Sequence, residues 1–200
     1  MKSYLIQQIF QGMNLTQKET DHIADNIREL SVEKGHIILS EGQSASSLYF
    51  VHSGCLRIYF IDNYGKEYTL QFAADGWLAD YTAFLANGST VLNIECLQDT
   101  IMYQLPKKNL ENLCKSIPQI EIFFRHQVED SLANFQKRLL STMVQSAQER
   151  YTMFMMMYPN IYKMIKNYHV ASYLGITPES LSRVKKNSLT KLSMRKIALF

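Results

Sequence analysis

The stretch from Val170 to Lys186, VASYLGITPESLSRVKK, constrains this chain most, because it meets the separate requirements of a helix-turn-helix in one short window. Two short helices that cross steeply need a small residue where their backbones approach, and Ala171 supplies it. They also need a residue that accepts positive φ where the chain reverses, and Gly175 stands four positions later. Val170, Leu174 and Ile176 form the apolar side of the first helix and the turn. Leu181 and Val184, three apart, form the inward side of the second helix. Thr177 is a good N-cap, Pro178 suits the first helical position, and Glu179 favours the positive end of the first turn. The outward side then carries Glu179, Ser180, Ser182, Arg183, Lys185 and Lys186, groups that can meet base edges and phosphates. The competing reading, an αα-hairpin packed for structure alone, would have to meet all these requirements by coincidence.

The charge distribution points the same way. The chain is +3 overall, from 21 Lys and Arg against 18 Asp and Glu. Residues 146–200 hold nine of those bases (Arg150, Lys163, Lys166, Arg183, Lys185, Lys186, Lys191, Arg195 and Lys196) against the acids Glu149 and Glu179. The rest of the chain is therefore net acidic. A basic C-terminal module on an acidic body suits a binder of the phosphate backbone of double-stranded DNA.

Composition removes several other classes. With 200 residues and 46% hydrophobic content the chain can bury a real core, and its mean hydropathy of −0.16 is that of a soluble protein. No apolar run approaches the ~20 residues of a membrane span, and the N-terminal MKSYLIQQIF has Gln where a signal peptide would stay apolar. A cytoplasmic protein with no membrane partner is expected. Cys55, Cys96 and Cys114 are odd in number and widely spaced, which fits reduced, buried thiols better than disulfides or a metal box. His22, His36, His52, His126 and His169 are scattered without an H-x-H pair. That argues against a metal-dependent β-barrel enzyme and leaves haem through His36 or His52 unsupported. No enzymatic activity, metal or cofactor is expected.

Along the chain, Thr16 and Glu19 form a capping box for an early helix. Then Gly35, Gly42, Gly54, Gly65, Gly76 and Gly88 punctuate strand-like runs at His36–Leu39, Leu48–Val51, Leu56–Ile61, Tyr68–Phe72, Leu92–Leu97 and Ile101–Leu105. Short β-branched and aromatic runs between regularly spaced turns predict an antiparallel barrel or sandwich, closed at Pro106. From about Gln119 to Gln145 the chain lacks Gly and Pro, and carries Phe124, Val128, Leu132, Phe135, Leu139 and Met143 at spacings of three and four. Such a seam is long enough to pair with a copy of itself in a homodimer. A second helix is expected over Ala147–Met157, with Met153 to Met157 as core filler.

A β-roll, a long central helix and a C-terminal helix-turn-helix, in that order, resemble the Crp/Fnr superfamily of bacterial transcription regulators. The resemblance rests on AQERY at 147–151, the 170–186 stretch, SEG at 40–42 and VHSGCLRIY at 51–59. It implies an α+β fold: a cyclic-nucleotide-binding-like antiparallel β-roll for effector sensing over 1–118, a dimerisation helix over 119–145, and a DNA-binding domain over 146–200. It further implies that Glu179, Ser182 and Arg183 read bases, while Asn167, Thr177, Ser180, Lys185 and Lys186 hold phosphates. An activator of this kind would also touch RNA polymerase. The family's effector pocket maps to Ala79, Asp80, Thr90 and Val91, and here the chain departs from the pattern. No Arg or Lys lies between Lys66 and Lys107, and burying a cyclic phosphate without a cation is costly. Cyclic AMP is therefore not the expected effector. The family's β-hairpin wing has no clear place between Pro159 and Ile165 or after Asn187. A β-roll interaction protein whose DNA-binding end no longer works is the alternative; the Glu179 and Arg183 face argues against it, and the 188–200 tail leaves room for it.

Overall fold

A computed structural model describes residues 2–197, and side chains over 4–162 and 164–187. Two helices, α1 (Lys2–Ile9) and α2 (Gln17–Asn26), precede the first strand. The α2 start follows from its sequence: the Thr16 hydroxyl accepts from Glu19 N, and the Glu19 carboxylate accepts from Thr16 N at 2.8 Å. Eight strands follow: β1 (Arg28–Val32), β2 (Ile37–Leu39), β3 (Ser47–Ser53), β4 (Leu56–Ile61), β5 (Glu67–Ala73), β6 (Gly76–Leu78), β7 (Asn93–Cys96) and β8 (Thr100–Pro106). They pair antiparallel in two four-stranded sheets, β1-β8-β3-β6 and β2-β7-β4-β5. The short helix α3 (Tyr81–Ala86) sits between β6 and β7. The inner faces meet over Leu48, Leu56, Leu78, Ile94, Met102 and Leu105, all at most 1% exposed.

Pro106 ends the sheet, and α4 (Lys107–Ser116) leads into α5 (Pro118–Val144), the expected long helix. Then come α6 (Ala147–Met157), α7 (Ile161–Met164), α8 (Asn167–Leu174) and α9 (Pro178–Ile197). Short α7 fills the segment where a β-hairpin wing had no clear place. Ser146 and Glu149 make a second capping box at the α6 start, with Glu149 accepting from Ser146 N at 2.8 Å. The side chains of the 188–200 tail lie outside the described residues.

A second apolar core joins α6, α8 and α9 through Tyr151, Phe154, Val170, Ala171, Leu174, Leu181 and Val184. Cys55, Phe72 and Leu97 of the β-roll belong to this same core. The C-terminal helices are thus seated on one end of the roll. One expectation about α5 needs correction. Phe124 is 7% exposed and packs edge-on against Trp77, with ring centroids 4.7 Å apart, so it belongs to the protomer's own core. Val128 is half-buried against the roll. The exposed seam starts at Leu132, 59% exposed, and continues through Phe135, Leu139 and Met143.

Candidate nucleic-acid interface and effector cleft

The helix-turn-helix forms for the reasons its residues suggest. Gly175 ends α8 at φ +66, a left-handed conformation that costs other L-residues roughly 1–2 kcal/mol. Thr177 starts α9: its hydroxyl accepts from Ser180 N at 3.2 Å and its carbonyl from Leu181 N at 2.9 Å. Leu181 and Val184 turn inward at 1% and 9% exposure, which directs Glu179, Ser182 and Arg183 to solvent. The three base-reading candidates share one exposed face. Glu179 is held below the ordinary carboxylate range by the backbone N–H at the helix start and by the Thr177 hydroxyl, so it stays an acceptor. Arg183 donates to Ser180 Oγ at 3.2 Å. Lys185, on α9, donates to the Asn167 side chain at the start of α8, which brings two expected phosphate contacts together. Burial lowers the Lys185 ammonium, and Lys186 is exposed. Thr177 and Pro178 also face Lys66 and Tyr68 of the β4–β5 hairpin across a cleft.

The expected effector pocket is partly realised. A cavity of about 300 Å³ lies between the roll and α5, and Ala79, Asp80, Leu92, Val128 and Phe135 are among its walls. Asp80, only 7% exposed, caps α3 by accepting from Ala83 N at 3.1 Å and accepts from Thr90 Oγ1 at 2.6 Å. Asp80 and Thr90 are therefore partners. Val91 is a correction: it is 60% exposed and absent from the walls, where its neighbour Leu92 stands instead. Lys107, the first cation after the pocket along the chain, points to the far end of α3 and donates to Phe84 O at 2.5 Å. No group of three or more His, Cys, Asp or Glu able to hold a metal occurs among the described residues. Burial pushes the Cys55 and Cys96 thiols up to about 12 and about 11, so they stay protonated.

Between reader and cleft lies a junction that sequence reasoning missed. Arg57, 3% exposed, pairs with Glu67 at 2.5 Å and Glu95 at 2.8 Å. Ser172 of α8 accepts from Thr69 N and donates to Glu67 O, each at 2.9 Å. Arg138 of α5 donates to Leu70 O, to Thr69 O at 2.9 Å and to Tyr173 O at 2.8 Å, with its guanidinium 4.0 Å from the Tyr173 ring centre. Roll, long helix and helix-turn-helix thus meet on one arginine. Its partners are distant backbone carbonyls, which leave no local pattern to find.

Residues 29–117 match the cyclic nucleotide-binding domain family. The chain is 24% identical over 198 residues to the anaerobic regulatory protein of Pasteurella multocida, covering 90% of this chain and 70% of that one. The structure of FixK2 from Bradyrhizobium japonicum superposes with a TM-score of 0.74 at 21% identity, over 82% of this chain and 85% of that one. A transcriptional regulator of the Crp/Fnr family from Eubacterium rectale gives 0.67 at 20% identity, over 88% and 85%. The chain is thus similar to Crp/Fnr regulators in fold, with a match to the cyclic nucleotide-binding domain over residues 29–117. In this chain the cleft departs from a cyclic-phosphate site in one clear respect. The start of α3 is already occupied by an internal carboxylate, Asp80, which would repel an incoming phosphate.

Proposed function

We propose that this chain is a transcription regulator of the Crp/Fnr type, a homodimer that reads an inverted repeat in double-stranded DNA with α9 of each protomer in the major groove. One observation carries the reading: Glu179, Ser182 and Arg183 stand together on the exposed side of a helix whose other side is anchored by Leu181 and Val184. Arg183 can pair with guanine O6 and N7, and ionised Glu179 can accept from cytosine N4. Asn167, Thr177, Ser180, Lys185 and Lys186 contact the flanking phosphates. The functional division is an effector unit over 1–118, a dimer helix over 119–145 and a reader over 146–200, all in the cytoplasm. The effector is not cyclic AMP, because the buried Asp80 carboxylate at the start of α3 would repel its phosphate.

The test is selection of bound duplexes from random sequence, followed by variants. Wild type should enrich an inverted repeat with half-sites about one helical turn apart. Arg183→Ala should cost about 1–3 kcal/mol per half-site and relax preference at one base pair. Lys185→Ala should weaken all sequences alike and lower the salt slope by roughly one unit. If Arg183→Ala leaves the base preference intact and behaves like the lysine variant, the reading role is wrong.

A further inference from the structure

The cleft has a cation, and it comes from α5. The cavity at Asp80 adjoins a second one of about 200 Å³, and Leu70, Gln71, Tyr81, Ser131 and Phe135 line both. The two chambers differ in chemistry. Leu85, Leu92 and Val128 make the first one apolar, and its Asp80 carboxylate is taken up by Thr90 and Ala83. The second is lined by Arg138, whose guanidinium has no carboxylate partner among the described residues. A guanidinium offers five N–H donors, and carbonyls of Leu70, Thr69 and Tyr173 accept three bonds from it. Carbonyl dipoles orient the charge without neutralising it, and burial already lowers its proton affinity. Two donors remain on a half-buried cation beside an apolar chamber.

We propose that this cleft binds an amphipathic monocarboxylate, its carboxylate on Arg138 and its hydrocarbon part in the chamber walled by Leu92 and Val128. The proposal rests on reading the roll–α5 cleft as the effector site. The free Nε–H and Nη1–H lie on different edges of the guanidinium, so a carboxylate takes one of them in a charge-assisted bond, with the exposed Asp130 also lining the chamber. A phosphate lodged at the start of α3 would meet the Asp80 carboxylate. A cavity of about 300 Å³ is at the small end for ligand sites, which favours a medium-length chain or a single ring. Arg138 also holds Tyr173 of α8, so occupancy is felt at the reader.

Trp77, the only tryptophan in the chain, lines the Arg138 chamber, so its fluorescence reports binding. The full-length protein is titrated with decanoate, with decanol and with cyclic AMP. Decanoate should change the Trp77 signal saturably, with decanol at least about tenfold weaker and cyclic AMP weaker than decanoate. Arg138→Met should abolish the preference of decanoate over decanol. Should that variant fail to fold, Ser131→Phe fills the junction of the chambers while sparing the Arg138 carbonyl bonds, and it should remove the decanoate response. Equal binding of the acid and the alcohol overturns the proposal. So does cyclic AMP binding tighter than decanoate, a response unchanged in Ser131→Phe, or no saturable response. Binding of the ligand-free protein to duplex DNA, measured in parallel, reports on the regulator reading separately.

Discussion

Gly54 shows how one residue can hold a local structure in place. It joins β3 to β4 at φ +100, and a Cβ there would lie 2.6 Å from Asp99 O and 2.7 Å from Thr100 Cα. Both obstacles are backbone, so no flexible side chain can give way. Thr100 is itself fixed, because its hydroxyl accepts from Cys55 N and donates to Gln98 O at 2.8 Å. Gly65, at φ +77 in the β4–β5 turn, has open space around its Cα. Gly54→Ala should therefore cost about 3 kcal/mol or more, combining overpacking with left-handed strain, whereas Gly65→Ala should cost about 1–2 kcal/mol. Urea unfolding of the two variants checks this, and equal midpoint shifts would contradict it. The proposed reading face is similarly local. That Glu179, Ser182 and Arg183 share an exposed side was legible because cap, turn and apolar anchors all fall within one continuous stretch.

At the scale of elements, legibility follows the strength of the local pattern. The α2 and α5 helices were visible because a capping box and a long Gly- and Pro-free seam are properties of neighbours in sequence. β1 was missed because it is short and mostly exposed, with only Leu30 and Val32 alternating against polar neighbours. β6 has three residues and α3 six, too few for any period. The cleft was half-visible, since its cation comes from α5 and its walls from β5 and α3. The dock of α8 on the roll was invisible from sequence, and it carries a pH dependence. His169 on α8 is 4% exposed with its Nδ1 unpartnered. Burial lowers it to about 4, helped by Arg57 of β4 and Lys166 before α8. The unfolded chain titrates near 6.5, so between those values it binds more protons than the folded one. The stability is complete above about pH 6.5 and is lost as pH falls towards 4, with about 2 kcal/mol gone at pH 5. Stability curves of wild type and His169→Asn at pH 7 and pH 5 test this. The variant should lose less on acidification, and identical losses would remove His169 as the cause.

The whole molecule is organised around α5, which faces three ways. Phe124 anchors it in the roll, Arg138 ties it to β5 and α8, and an apolar strip faces solvent. That strip runs through Leu132, Phe135, Leu139, Leu140, Met143 and Val144, each at least 54% exposed. So much contiguous apolar surface on one helix marks an association site, and the spacing of three and four suits a copy of the same helix. Dimerisation would also set two reading helices about one DNA turn apart, as an inverted repeat requires. Leu139 is the discriminating position, because it lies in the strip and lines neither chamber of the cleft. Leu139→Glu leaves the protomer folded, since the side chain is already 54% exposed there. In a dimer it would bury two unpaired carboxylates, each costing at least ~2 kcal/mol, which weakens association about a thousandfold. Sedimentation at micromolar concentration should find wild type as a dimer and Leu139→Glu as a folded monomer with weakened binding to the full inverted repeat. A monomeric wild type, or a variant that stays dimeric, would place the two-fold axis somewhere other than α5.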